Sequence, residues 1–187
     1  MVGSSIFDSQ PEATANYNYS DIASGTSRID FHAGKVGADS TPLMLPFTYA
    51  SYPVSTSGNA DIDFDFYVNK NMTIKGAVVV SATVTTNNSN TVSFIAYLRR
   101  WTGSTETEIQ HGHSNTYTAP GAPITGGRIS AWIDAPLTTF KKGEYIRVSI
   151  VTTGSGSFEL FHNPIYTEPL SGYTADLTVT IPTRIYT

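Results

Sequence analysis

Apolar and polar residues alternate strictly in several runs of this sequence, and this alternation limits the possible folds more than any other feature. One run, at 61–68, alternates Ile62, Phe64, Phe66 and Val68 with Asp61, Asp63, Asp65 and Tyr67. A period of two recurs in "TIKGAVVVSATVTT", "TVSFIAYLRRW", "RISAWIDA" and "YIRVSIVT". Side chains two positions apart lie on the same face of a β-strand, and no stretch sustains the 3.6-residue period of a helix. The sequence therefore predicts an all-β protein.

The composition supports the same fold class. Only 14% of the 187 residues are charged, whereas about 25% is usual, and hydroxyl side chains fill the gap, with 26 Thr and 20 Ser. Threonine and aromatic residues favour the pleated, half-buried surface of a sheet, and 15 Gly and 10 Pro supply turns. Eight or nine runs separated by turn signals predict a jelly-roll-like β-sandwich of about eight strands.

The chain divides into an N-terminal extended arm, 1–26, and one β-sandwich domain, 27–187. The arm contains no Lys or Arg and cannot bury enough apolar surface to fold alone. It nevertheless carries spaced apolar side chains, so we predict that it lies on the body or on a neighbouring subunit, and a frayed terminus is the alternative. The candidate interface residues are Ile6, Phe7, Tyr17, Tyr19 and Ile22.

Turn and proline signals predict part of the topology. The run "PLMLPFTYA" carries Pro46, which predicts an edge strand or a bend. The turn "NNSN" at 87–90 predicts a hairpin between the runs on either side of it. A glycine-rich loop, "TTGSGSFE", predicts a second hairpin between "YIRVSIVT" and "SFELF". The polar segment 102–127 is predicted to be a surface loop.

Three aspartates, Asp61, Asp63 and Asp65, are spaced like the first ligands of a calcium loop. Such a loop needs glycine at its sixth position and glutamate at its twelfth, and these positions here hold Phe66 and Met72. We therefore predict that the three carboxylates line the exposed outer face of a strand. There they would meet cations of a neighbouring strand or subunit, such as Lys75 or Arg147, and a metal shared between subunits is the alternative.

Two histidines, His111 and His113, share a face if their segment is extended, as do Glu106 and Glu108. Histidines two apart on a strand can bind zinc or nickel. No third strong ligand stands near them at a sequence spacing typical of metal sites, so we predict a structural role and no metal site.

Catalytic patterns are weak in this sequence. Glu106, Glu108, Asp134 and Glu159 are carboxylates of the kind that glycoside hydrolysis uses, but such an enzyme needs two of them facing each other across a cleft. Ser155 stands between two glycines without the G-x-S-x-G elbow of a nucleophilic serine. We predict no catalytic residue and no cofactor.

Charge and cysteine content limit the partners. The net charge is −4, and the 11 Lys and Arg residues are scattered, whereas a surface that follows phosphates needs clustered cations. Direct nucleic-acid binding is therefore not expected. The absence of cysteine excludes disulfides and zinc–thiolate sites. No apolar run approaches the ~20 residues of a membrane span, and the N-terminus lacks the pattern of a signal peptide, so we expect no membrane association.

Four segments together resemble one group of proteins: "YNYSDIASGT" (17–26), "FKKGEYIRVSI" (140–150), "ELFHNP" (159–164) and "LTVTIPTRI" (177–185). In this order they are similar to small virion structural proteins of tailed bacteriophages, of the head-decoration or auxiliary capsid type. The second segment also resembles the glycine turn and core strand of trimeric jelly rolls in the tumour-necrosis-factor and C1q group. The chain departs from the expected phage pattern at Asn163 and Thr183.

The resemblance implies a jelly-roll body and a non-enzymatic role on the capsid surface of a virion. It implies binding to capsid subunits and to further copies of the chain, with a homotrimer expected. The alternative is a carbohydrate-binding or receptor-binding β-sandwich module, because Trp101, Trp132 and the tyrosines could stack on a glycan. An enzyme that uses Glu106 or Glu108 is the third hypothesis.

Overall fold

The computed structural model describes residues 15–16, 26–34, 43–45, 55–121, 124–161, 166–167, 174–175 and 177–184. Every regular element among them is a β-strand. The strands are β1 (Ala15–Asn16), β2 (Thr26–Gly34), β3 (Leu43–Leu45), β4 (Ser55–Ser57), β5 (Asp61–Tyr67), β6 (Met72–Thr86), β7 (Thr91–Trp101), β8 (Glu106–His113), β9 (Tyr117–Thr118), β10 (Thr125–Phe140), β11 (Tyr145–Gly154), β12 (Phe158–Phe161), β13 (Tyr166–Thr167), β14 (Thr174–Ala175) and β15 (Leu177–Arg184). No helix that could cross a membrane occurs in this part of the chain.

Thirteen strands form one hydrogen-bonded network in the order β4-β12-β6-β15-β2-β3-β5-β11-β7-β8. β10 joins it beside β6, β1 beside β2 and β9 beside β7, while β13 and β14 pair with each other. The pairings divide the network into the two layers of the sandwich, with β10, β6, β15, β12 and β2 in one and β5, β11, β7 and β8 in the other. The predicted all-β, jelly-roll-like sandwich is confirmed, and eight described strands have seven or more residues.

The inward side chains of both layers form one core. Along β5 and β11 the apolar side chains Phe64, Val148 and Ile150 are fully buried, as the alternation predicted, but the intervening Asp65 and Ser149 are buried as well. β6 and β10 face them with Val80 and Ile133, also fully buried. Each buried aliphatic or aromatic side chain contributes about 1.5–3 kcal/mol through removal of apolar surface from water. Opposite faces of the same strands are therefore left for polar side chains.

β3 is not an edge strand, so the first of the two alternatives predicted for its segment is wrong, and the second, a bend at Pro46, lies outside the described residues. β3 pairs antiparallel with β2, and Leu43 forms a parallel bridge to Asp65 of β5. This short strand therefore links the two layers through the hydrogen-bond network. Met44 is fully buried between them, which explains why an apolar strand of three residues stands here.

The two predicted hairpins are wrong, although the first turn forms. Asn88 and Ser89 have φ values of 51° and 59°, and the amide of Asn90 donates to the carbonyl of Asn87 at 2.9 Å. However, β6 pairs with β10, β15 and β12, whereas β7 pairs with β11, β8 and β9. The turn therefore crosses from one layer to the other. The loop after β11 does the same, because β12 pairs with β6 and β4.

The polar segment 102–127 is not only a loop, because it contains β8 and β9. β8 pairs with the outer edge of β7, and its side chains are mostly exposed. Its inward contact is made at Gly112, where an added Cβ would lie 2.0 Å from the carbonyl oxygen of Trp132 on β10. The two layers thus approach backbone to backbone along this edge, which a side chain larger than hydrogen would prevent.

The predicted division at residue 26 stays a prediction. Ala15 and Asn16 of the arm form β1, which pairs antiparallel with Ile29 and Arg28 of β2. All five candidate interface residues, Ile6, Phe7, Tyr17, Tyr19 and Ile22, lie outside the described residues.

Candidate functional site

The outer face of β5, β11, β7 and β8 carries polar and aromatic side chains in aligned rows. The strand register places Arg147 between Asp65 on β5 and Arg99 on β7. The next row contains Ser149 between Asp63 and Tyr97. The period-two alternation forces these side chains outward, because their neighbours along each strand enter the core.

Arg147 and Asp65 form a bidentate ion pair at the centre of this face. Arg147 Nε donates to Asp65 Oδ1 at 2.7 Å, and Nη2 donates to Oδ2 at 2.8 Å. The side chains are only 13% and 9% exposed. The hydrogen bonds that Asp65 accepts from Arg147 raise the pKa of Arg147 above its ordinary value, and burial acts in the opposite direction. The fork of a guanidinium matches a carboxylate in this geometry, and lysine cannot reproduce it.

Two further carboxylates and a second arginine complete the arginine–carboxylate cluster, which we define as Asp63, Asp65, Arg99, Glu106 and Arg147. Arg147 Nη1 lies 2.9 Å from Asp63 Oδ2 and 2.8 Å from Glu106 Oε2. Arg99 Nη1 lies 2.9 Å from Glu106 Oε1 and 3.9 Å from Asp63 Oδ1. Three carboxylates thus share two guanidinium groups, which leaves one negative charge on the cluster.

The prediction for the three aspartates is confirmed in their outward direction and in the choice of Arg147 as a partner. It is wrong about Lys75, which is exposed on β6, in the other layer. It is also wrong in treating the face as fully exposed, because Asp65 is buried. Among the described residues, no group of three or more His, Asp or Glu is arranged to hold a metal ion.

The aromatic side chains of this face contact the arginines. The guanidinium of Arg147 lies 4.6 Å from the ring centroid of Trp101, and that of Arg99 lies 4.6 Å from the ring of Tyr97. Such cation–π contacts cover part of each ring. Trp132 lies on β10 in the other layer and is 62% exposed. The two tryptophans therefore do not form one glycan-stacking platform, contrary to what the carbohydrate hypothesis expects.

The carboxylates considered for glycoside hydrolysis do not face each other across a cleft, since Glu106 and Glu108 stand side by side on β8. Glu106 accepts from both arginines of the cluster, so its oxygens are occupied by guanidinium groups. Asp134 and Glu159 lie on β10 and β12, in the opposite layer. Ser155 Oγ accepts from the amide of Thr91 at 2.9 Å and lies close to the Thr91 hydroxyl. It stabilises a loop, and neither of these two Thr91 groups can act as a general base.

β8 is extended, so His111 and His113 share a face, as the conditional prediction expected. The register shift between Leu98 and Arg99 of β7 brings Glu108, three residues before His111, onto the same face. His111 Nδ1 lies 2.8 Å from Glu108 Oε1. The ring centroids of His111 and His113 are 5.8 Å apart, and that of Tyr97 is 5.3 Å from His111.

Large exposed apolar side chains are concentrated in one segment. Within the described ranges they are Ile124, Trp132 and Leu137, which are 54%, 62% and 64% exposed. Trp132 lies opposite half-buried Val79 of β6. Leu137 follows Pro136 at a register shift between Ala135 and Thr138, where a bulge can turn a side chain outward.

Comparison with known proteins gives a fold relationship and no family. No protein-family model matches the chain, and no curated protein matches it. A CocE/NonD family hydrolase from Staphylococcus aureus superposes with a TM-score of 0.61 at 11% identity, over 84% of this chain and 37% of the hydrolase. An aminopeptidase from a marine sediment archaeon, Thaumarchaeota archaeon, gives 0.60 at 8% identity, over 86% of this chain and 37% of the enzyme. The chain thus spans little more than a third of these enzymes, and the likeness is one of fold alone.

Proposed function

We propose that this chain is a non-enzymatic virion structural protein that acts by protein–protein binding on the capsid surface. The observation that carries the proposal is the exposure of the large apolar side chains Trp132 and Leu137 on β10, with Ile124 directly before it. Tryptophan is enriched among residues that dominate the energy of protein interfaces, and Trp132 is mostly exposed in the single chain. The four segments that resemble phage virion proteins direct the proposal to capsid subunits as the partner.

The arginine–carboxylate cluster supports a binding role over a catalytic one. A general acid or base must be free to exchange its proton with a substrate. Glu106 instead accepts hydrogen bonds from Arg99 and Arg147. The hydrolase names of the structural neighbours do not transfer to this chain, because the similarity of fold at 8–11% identity carries no active site with it.

The proposal is tested by binding to particles made without this chain. Wild-type protein is expected to co-sediment with such particles. Trp132→Ser removes a large apolar contact. A residue that dominates an interface contributes about 2 kcal/mol to the binding free energy, so its loss should weaken binding by roughly 30-fold. Asp134→Ser is the matched control, because Asp134 is an exposed residue of the same strand and face. Equal binding by wild type and Trp132→Ser would contradict the role of β10.

The assembly part of the proposal is a homotrimer, as the resemblance implies. Light scattering on the purified chain is expected to give a mass near three times 20.2 kDa. A monomer at all accessible concentrations would contradict self-assembly in solution.

A glycan-binding module is the second candidate, and Trp132 is the observation that favours it. An exposed indole can stack on a sugar ring, and Trp132 neighbours the hydroxyl pair Ser130–Ser81, whose oxygens lie 2.7 Å apart. A glycan array on which the wild type binds a defined sugar and Trp132→Ala does not would favour this candidate. Particle binding that Trp132→Ala weakens, together with no glycan binding by the wild type, would favour the capsid role instead.

A further inference from the structure

The exposed edge of β8 carries two histidines and one carboxylate that have no part in the binding proposed above. His111 and His113 are two residues apart on one face, and both are exposed. Glu108 stands on the same face and contacts His111. Neither histidine belongs to the arginine–carboxylate cluster, so their arrangement needs its own explanation.

The contact with Glu108 fixes the tautomer of His111. An ionised carboxylate only accepts hydrogen bonds, so the hydrogen between the two groups, 2.8 Å apart, is carried by His111 Nδ1. In the neutral imidazole the other nitrogen, Nε2, then has a free lone pair. A carboxylate that orients a histidine through its second nitrogen is the usual arrangement behind a metal-binding imidazole.

The separation of the two rings suits a single metal ion. Zinc–nitrogen bonds of about 2.0–2.1 Å at a tetrahedral angle place two imidazole centroids roughly 5–6 Å apart. Here the centroids of His111 and His113 are 5.8 Å apart, and the ring planes are inclined by 78°. Both side chains are exposed, so each ring is free to rotate toward a shared ion.

The charges nearby also favour a cation. Glu108 holds one negative charge beside His111, and the arginine–carboxylate cluster on the same face has one carboxylate more than it has guanidinium groups. Imidazole ligands select zinc, copper and nickel, whereas magnesium, calcium and manganese prefer oxygen ligands. The chemistry therefore indicates a borderline transition-metal ion.

We propose that His111 and His113 form a two-histidine zinc site in which Glu108 orients His111. Two protein ligands leave two of the four tetrahedral positions open. The proposal is independent of the capsid role, because it concerns β8 and not β10.

Calorimetric titration of the intact chain with Zn²⁺ in a chelator-free buffer tests the site. One zinc ion per chain is expected, with no binding of Mg²⁺ at the same concentration. His111→Ala and His113→Ala should each weaken zinc binding at least 10-fold. Glu108→Gln should weaken it by about 10-fold or more, the range usual for a residue that orients a metal ligand.

Thr107→Ala, an exposed neighbour on the same strand, is the control and should bind zinc like the wild type. Zinc affinity that persists in both histidine variants would overturn the proposal and place the ion elsewhere. Long-range proton–nitrogen NMR gives a second readout that does not depend on any variant. It should show the Nδ1–H form of His111 before zinc is added and a shift of Nε2 afterwards, and an Nε2–H form would contradict the role of Glu108.

Discussion

Replacement of Arg147 by methionine tests whether the arginine–carboxylate cluster stabilises the fold. Methionine keeps an unbranched apolar stem and removes the guanidinium. The Asp65 carboxylate, 9% exposed, then loses both of its hydrogen bonds to Arg147. Removal of one partner from a buried ion pair costs about 3–5 kcal/mol. The contacts with Asp63 and Glu106 add little, because these side chains are 39% and 33% exposed and exposed pairs contribute about 0.2–1 kcal/mol.

Urea denaturation measures this change as the free energy of unfolding. The double variant Arg147→Met with Asp65→Leu should regain part of the loss, because neither charge is left buried alone. A coupling energy of about 2 kcal/mol is therefore expected from the double-mutant cycle. Lys75→Met, which removes an exposed cation from the other layer, is the control and should change stability by less than about 0.5 kcal/mol. A loss below about 1 kcal/mol for Arg147→Met alone would refute the reasoning.

Two further changes probe the core and the edge of the sandwich. Phe64→Ala removes a fully buried ring of β5 and should lower the free energy of unfolding by about 3–5 kcal/mol. The same urea assay measures this loss, and a value under about 1 kcal/mol would show that Phe64 is not a core residue. Gly112→Ala places a Cβ 2.0 Å from the Trp132 carbonyl oxygen. This overpacking should lower the free energy of unfolding by about 1–3 kcal/mol or more. A thermal midpoint equal to that of the wild type would contradict the close approach of β8 and β10.

The alternation in the sequence was sufficient to predict which side chains of β5, β6, β7, β10 and β11 face the core. It could not predict the partners of these strands, because a strand with one buried face is compatible with either layer. For this reason the turn at Asn88 and Ser89 was correctly located but assigned to the wrong topology. β8 was missed because an edge strand with few inward side chains has no apolar alternation.

The candidate site was predictable only in part. The outward direction of Asp65 and its pairing with Arg147 followed from the strand pattern and the scarcity of cations. The burial of Asp65 and the participation of Arg99 did not, because both depend on the register between β5, β11 and β7. The alternation in "YLRRW" places Arg99 on the same strand face as Tyr97 and Trp101. This pattern is the feature of the sequence that could have indicated that Arg99 belongs to the arginine–carboxylate cluster.

The measurement that tests the central claim most directly is quantitative mass spectrometry of purified particles from cells that express this chain together with its neighbouring genes. The account predicts that the chain co-purifies with the particles in many copies per particle and stays bound through a density gradient. Particles that form normally and lack the chain, while the cells contain it in soluble form, would contradict a virion structural role.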